Sequence, residues 1–68
     1  MSTTKTYNVP NINCNHCVHT IQSELSEVKG VQSVKADLST KKVTVVYEQP
    51  ADDKELITLL TEINYPPV

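Results

Sequence analysis

Two residues separate Cys14 from Cys17, the only cysteines in the chain, so the two thiols lie within reach of each other in any fold the sequence adopts. A pair this close can bind a soft metal ion as thiolates, cycle between dithiol and disulfide, or act as a staple. The staple is the weakest reading, because a Cys14 to Cys17 link closes almost no loop and would restrict the unfolded chain very little. A reducing compartment would keep both thiols free, which favours metal binding or redox chemistry.

The elements that position this pair are few. With 68 residues the chain reads as one small domain, residues 1–68, near the size at which a single core becomes marginal. Residues 1–4 are expected to be disordered. No stretch approaches a membrane span, and Met1 to Lys5 lacks the apolar run of a signal peptide, so the expectation is a cytoplasmic protein with no membrane insertion. The net charge of −2 is not diagnostic; there is no arginine, and the six lysines are scattered apart from Lys41-Lys42. The basic, aromatic-interleaved stripe of a nucleic-acid binder is missing, so no nucleic-acid partner is expected.

Thr6-Tyr7-Asn8-Val9 alternates polar and apolar residues, which predicts a first strand over about Lys5 to Pro10, with Pro10 at a sheet edge. Asn11 to His16 has no period and reads as a loop. From Cys17 onward Val18, Ile21, Leu25 and Val28 recur at helical spacing, with Gln22, Glu24, Ser26 and Glu27 on the other side; Lys29 and a left-handed Gly30 are expected to close the helix. Val31 to Leu38, with Val34, Ala36 and Leu38 on one face, and Val43 to Tyr47 read as strands joined by Ser39-Thr40-Lys41, hence an antiparallel hairpin. Asp52 followed by Glu55 opens a second helix with apolar face Leu56, Leu59, Leu60 and Ile63; Asn64 is its left-handed cap and Pro66-Pro67 prevents its continuation. Tyr65 to Val68 is left as a stub of strand. The order predicts an α+β fold, a ferredoxin-like βαββαβ sandwich whose antiparallel sheet carries both helices on one face, with the last strand short.

This organisation puts Cys14 in the loop and Cys17 at a helix start, where the positive end of the dipole lowers a thiol pKa. Two thiolates with no obligatory third ligand suit a soft ion that accepts few, nearly collinear ligands, of which Cu(I) is the common biological case. A closed zinc site wants four ligands, and there is no second cysteine pair.

The stretch Val9 to Val18, the Gly30-Val31 step, the Lys42-Val43-Thr44-Val45 strand and the closing Asn64-Tyr65 together resemble a heavy-metal-associated domain, over about Lys5 to Val68. This is the family of copper chaperones and of the N-terminal domains of metal-transporting P-type ATPases. Its motif is M-x-C-x-x-C, and the resemblance implies Cys14 and Cys17 as metal ligands. Ile12 stands where the family usually has methionine, a residue that anchors the loop in the core without ligating metal. Tyr65 matches a tyrosine that lies close to the metal loop in bacterial members, and Asn64 replaces the glycine before it. The implied function is that of a copper(I) chaperone, not an enzyme. It would hand Cu(I) by thiolate exchange to a copper-transporting P-type ATPase or its metal-binding domain, and a metal-bridged homodimer is compatible with the open site. Met1 and the lack of a linker favour a free chaperone over an excised ATPase domain.

Two rivals stay open. A carrier of Zn(II), Cd or another divalent ion would want an extra ligand, and Asn13, His16 and His19 leave room for one. A thiol redox protein is the rival of another class, since Asn15-His16 between cysteines resembles the C-G-H-C of disulfide isomerases. Against it, a thioredoxin-like fold needs a longer chain and an aromatic where Asn13 stands. A c-type haem site is excluded because Val18, not histidine, follows Cys17. His16 and His19 are read as solvated residues before they are read as ligands, and Tyr65 serves equally well as a core aromatic or as a partner of the sulfurs.

Overall fold

The computed structural model describes residues 2–68. Along the chain run β1 (Thr3–Asn8), α1 (Asn15–Ser26), β2 (Val31–Asp37), β3 (Lys42–Tyr47) and α2 (Asp53–Glu62). β3 lies between the other two strands and is antiparallel to both. That place suits its sequence: Val43, Thr44, Val45 and Val46 form the densest β-branched run in the chain, and a strand paired on both sides gains most from such residues.

Alternation along β3 sends Val43, Val45 and Tyr47 to the helix side, where all three are buried, and leaves Thr44 and Val46 half-buried on the other. Tyr7 and Ala36 sit opposite Val43 from either side. Above them Ile21 and Leu25 of α1 and Leu56 and Leu60 of α2 are fully buried, in one cluster that also takes in Val9, Ile12 and Cys17. Residues of the loop ahead of α1 are thus part of the core, not an appendage to it.

Several boundaries differ from the sequence expectation, each for a physical reason. β1 begins at Thr3, so the expected disorder of residues 1–4 does not hold for Thr3 and Thr4, which pair with Tyr47 and Val46; Met1 lies outside the described residues. The reason is that β3 extends far enough to offer backbone partners to exposed threonines that carry no apolar signal. α1 starts at Asn15 with Cys14 as its N-cap, two residues ahead of the first apolar position, because Asn15 and His16 face solvent. It also ends early, at Ser26, so Lys29 is beyond the helix and there is no basic residue in its last turn.

Gly30 does adopt a left-handed φ of +102°, but in the turn into β2 and not as the helix cap. Its carbonyl accepts from Glu48 N at 2.8 Å, and a Cβ here would stand 2.4 Å from Glu48 O and 2.8 Å from Ala51 N. Glycine is required by the close approach of the Glu48–Ala51 loop as well as by φ. β2 ends at Asp37, so Leu38 belongs to the hairpin loop and is 37% exposed, not on the buried face. Gln22, expected on the solvent side of α1, reaches down to accept from Ala36 N at 3.3 Å.

α2 follows the expectation closely. Asp52 caps it by accepting from Glu55 N at 2.7 Å. At the other end Asn64 takes φ +71°, Asn64 N donates to Thr61 O at 3.1 Å and Tyr65 N to Leu60 O at 2.8 Å, the paired bonds of a Schellman cap. The terminal strand is shorter than even a stub: among the described residues only Val68 N bonds to β1, through Asn8 O at 2.8 Å. Pro66 and Pro67 have no N–H and cannot build a ladder.

Candidate metal centre

The loop from Val9 to Cys14 is anchored at its middle. Val9 N bonds to Lys41 O at 2.8 Å and Ile12 N to Val9 O at 3.2 Å, which folds the chain into a turn and drops Ile12, at 0% exposure, into the core. Isoleucine therefore keeps the anchor expected of the usual methionine, with a stiffer side chain.

From that anchor the chain rises to Cys14, whose extended backbone (φ −161°, ψ 167°) makes it the N-cap of α1, with no side-chain capping bond. Its carbonyl takes Cys17 N at 3.1 Å and Val18 N at 3.4 Å. One turn in, Cys17 folds back beneath it, and the sulfurs stand 3.4 Å apart. The two are not equivalent: Cys14 is exposed, while Cys17 is 6% exposed within the core cluster. Both are free thiols. The first turn of α1 carries no acid, in contrast to Asp53 and Glu55 in the first turn of α2. The positive end of the α1 dipole is thus left to the sulfurs.

The surroundings of Cys17 favour thiolate. Its pKa is brought from 9.0 to about 7, chiefly by a hydrogen bond from the Asn13 backbone, then by the Tyr65 hydroxyl and Cys14, against burial acting the other way. The Asn13 side chain works the other way, because its Oδ1 accepts from the Cys17 S–H at 3.4 Å, a bond that only the protonated thiol can make. Tyr65 answers with a raised pKa, first because its hydroxyl is bonded to Cys17 and second through burial. Of the two readings of Tyr65, a core aromatic or a partner of the sulfurs, the packing shows the first: Tyr65 is partly buried against the core cluster.

His16 and His19 are exposed on α1, and the His16 carbonyl accepts from Thr20 Oγ1 at 3.0 Å. Among the described residues no group of three or more His, Cys, Asp or Glu side chains is placed to hold one ion. What the fold brings together is two sulfurs, an amide-rich loop and one phenol. From sequence, Asn11 reads only as a loop former and Asn13 only as room for an extra ligand. Asn13 supports Cys17, and Asn11 Nδ2 donates to Asn64 O at 3.1 Å. The signal available was their density: four asparagines between Asn8 and Asn15, more than turn geometry needs.

A ferredoxin-like domain with a dithiol at the start of its first helix defines the class. Comparison with known proteins agrees with it: the heavy-metal-associated domain profile matches residues 6–66, and the chain belongs to that family. A COP-associated protein of Helicobacter pylori (strain J99) is 41% identical over 46 residues, 68% of this chain and 70% of that one. The copper chaperone CopZ of Enterococcus hirae is 28% identical over 60 residues, 87% of each. Among solved structures, oxidized MerP from Ralstonia metallidurans CH34 superposes with a TM-score of 0.92 at 25% identity, covering 100% of this chain and 96% of that one.

Proposed function

We propose that the chain carries one Cu(I) between Cys14 and Cys17 and hands it, by thiolate exchange, to an acceptor with a similar site, a copper-transporting P-type ATPase or its N-terminal metal-binding domain. The observation that carries this reading is the pair itself: two free sulfurs 3.4 Å apart, one exposed and one buried, at a helix start with no acid. A disulfide would need about 2.05 Å, so at 3.4 Å the two sulfurs are unbonded and both are free to meet an ion.

Exchange starts at the exposed side. An incoming thiolate joins the ion, which passes through three-coordination, and one original sulfur then leaves with no bond in a substrate made or broken. Low coordination keeps the barrier small, because no closed cage has to open. The copper chaperones among the relatives support this assignment, and the site of action is the cytoplasm. The same openness allows a second copy to share the ion as a metal-bridged dimer.

The test is a competition titration of reduced protein, without oxygen, using Cu(I) and separately Zn(II) against a chelator, alongside Cys14→Ser and Cys17→Ser variants. Expected is one Cu(I) per chain, held far more tightly than Zn(II) and lost in the double variant. Comparable Zn(II) affinity would move the assignment to a divalent carrier. Turnover by a disulfide reductase with no strong metal affinity would move it to redox chemistry.

A further inference from the structure

We propose that the groove between the end of α1 and the outer side of α2 is a docking surface for a cationic amphipathic helix of another protein. The proposal uses no residue of the cysteine loop and stands whether or not Cu(I) is the cargo.

The groove, of about 530 Å³, is lined by Val28, just beyond α1, and by Asp52, Glu55, Leu59 and Glu62 along α2. Among the described residues Lys54 is the one base at its rim. Val28 and Leu59 are half-buried and pack against the core cluster, so they make an apolar floor anchored in the fold. Glu55 and Glu62 are exposed. Steps of four and three residues put Glu55, Leu59 and Glu62 on one stripe of the helix, with the leucine between the carboxylates. Two turns, about 10.5 Å along the axis, separate the two acids.

Stability accounts for only part of this charge. Asp52 caps α2, and Glu55 sits in its first turn, at the positive end of the dipole. Glu62 is different. It is the last residue of α2, whose last turn holds no base, so its carboxylate meets the negative end of the dipole, a placement that costs helix stability. α1 also closes without a base in its last turn, immediately before Val28. Both helix ends would therefore gain from positive charge, and a partner can supply it. The complementary surface carries lysines or arginines seven residues apart, to meet Glu55 and Glu62, with apolar residues three and four positions on to cover Leu59 and Val28. A helix presents that pattern along one face, as in other helix-in-groove contacts.

The test is a methyl chemical-shift titration of the full chain, reduced and metal-free, with a synthetic helical peptide of roughly 18 residues that has lysines and leucines at those spacings. Saturable shifts centred on the Val28 and Leu59 methyls are expected. A counterpart with glutamate for lysine is expected to leave them unmoved. Glu62→Gln should weaken the peptide by about two- to fivefold, and the Glu55→Gln, Glu62→Gln double variant by more, as for partly exposed ion pairs. Both positions are exposed, so an unchanged amide spectrum of the free variants confirms that the fold is retained. Shifts centred on the cysteine loop or spread over the surface, equal binding of the glutamate peptide, or an affinity unaltered in the double variant would overturn the proposal.

Discussion

Cys14 and Cys17 are the same residue in different surroundings, and the difference is testable. Cys17 titrates at about 7, below its ordinary 9.0, so it is protonated below that pH and thiolate above it. In the reduced, metal-free protein its alkylation rate should rise to a plateau as pH passes about 7; a midpoint above 8 would remove the role given to Asn13 and Tyr65. The same sign governs metal capture. Below pH 7 protons compete for the sulfur, and Cu(I) affinity should fall as pH drops. Ile12 makes a separate prediction. It is fully buried beneath the loop, so Ile12→Ala should cost about 2–5 kcal/mol in a urea melt. Ile12→Met, which restores the family residue, should cost less than about 1.5 kcal/mol.

At the level of elements, the two helices are finished in different ways and serve different ends. α2 carries a side-chain cap at Asp52, acids in its first turn and a left-handed Asn64, all of which stabilise it as scaffold. Asp52→Ala should lower stability by about 0.5–2 kcal/mol without changing metal affinity. α1 has neither a side-chain cap nor an acid in its first turn. The turn between α1 and β2 depends on one residue. Gly30→Ala forces a Cβ to within 2.4 Å of Glu48 O at a positive φ. Its cost should exceed about 1 kcal/mol, read as a lowered urea midpoint with Cu(I) stoichiometry retained.

At the scale of the whole molecule, a single core, with 13 buried apolar residues among the described residues, supports a small domain whose stability is modest, so binding should show plainly in a melt. Free Cu(I) at about 100 times its dissociation constant adds roughly 2.7 kcal/mol, which in a domain this size raises Tm by on the order of 10 °C. The Cys14→Ser, Cys17→Ser double variant should show no such rise. Core and site are continuous through Val9, Ile12 and Cys17, so damage to the sheet beneath the loop is expected to reach the sulfurs. Much of this was legible in the residues. The helical spacing of Ile21 and Leu25, the β-branched run of β3, the Asp52–Glu55 cap and the Cys14–Cys17 spacing are local patterns, and local patterns carry element type and the chemistry available to a site. What sequence alone did not decide were contacts between residues distant in the chain. These were Thr3 and Thr4 joining the sheet because Val46 and Tyr47 offer partners, Gly30 serving the Glu48 loop and not the helix cap, and the last strand reduced to one bond. The same holds for the asparagines and Tyr65. That two thiols would meet was determined by their spacing; that one would be buried and the other left open was decided by tertiary packing, because residues far apart in the chain close over Cys17, while the strongest pull on its charge, from Asn13, is local.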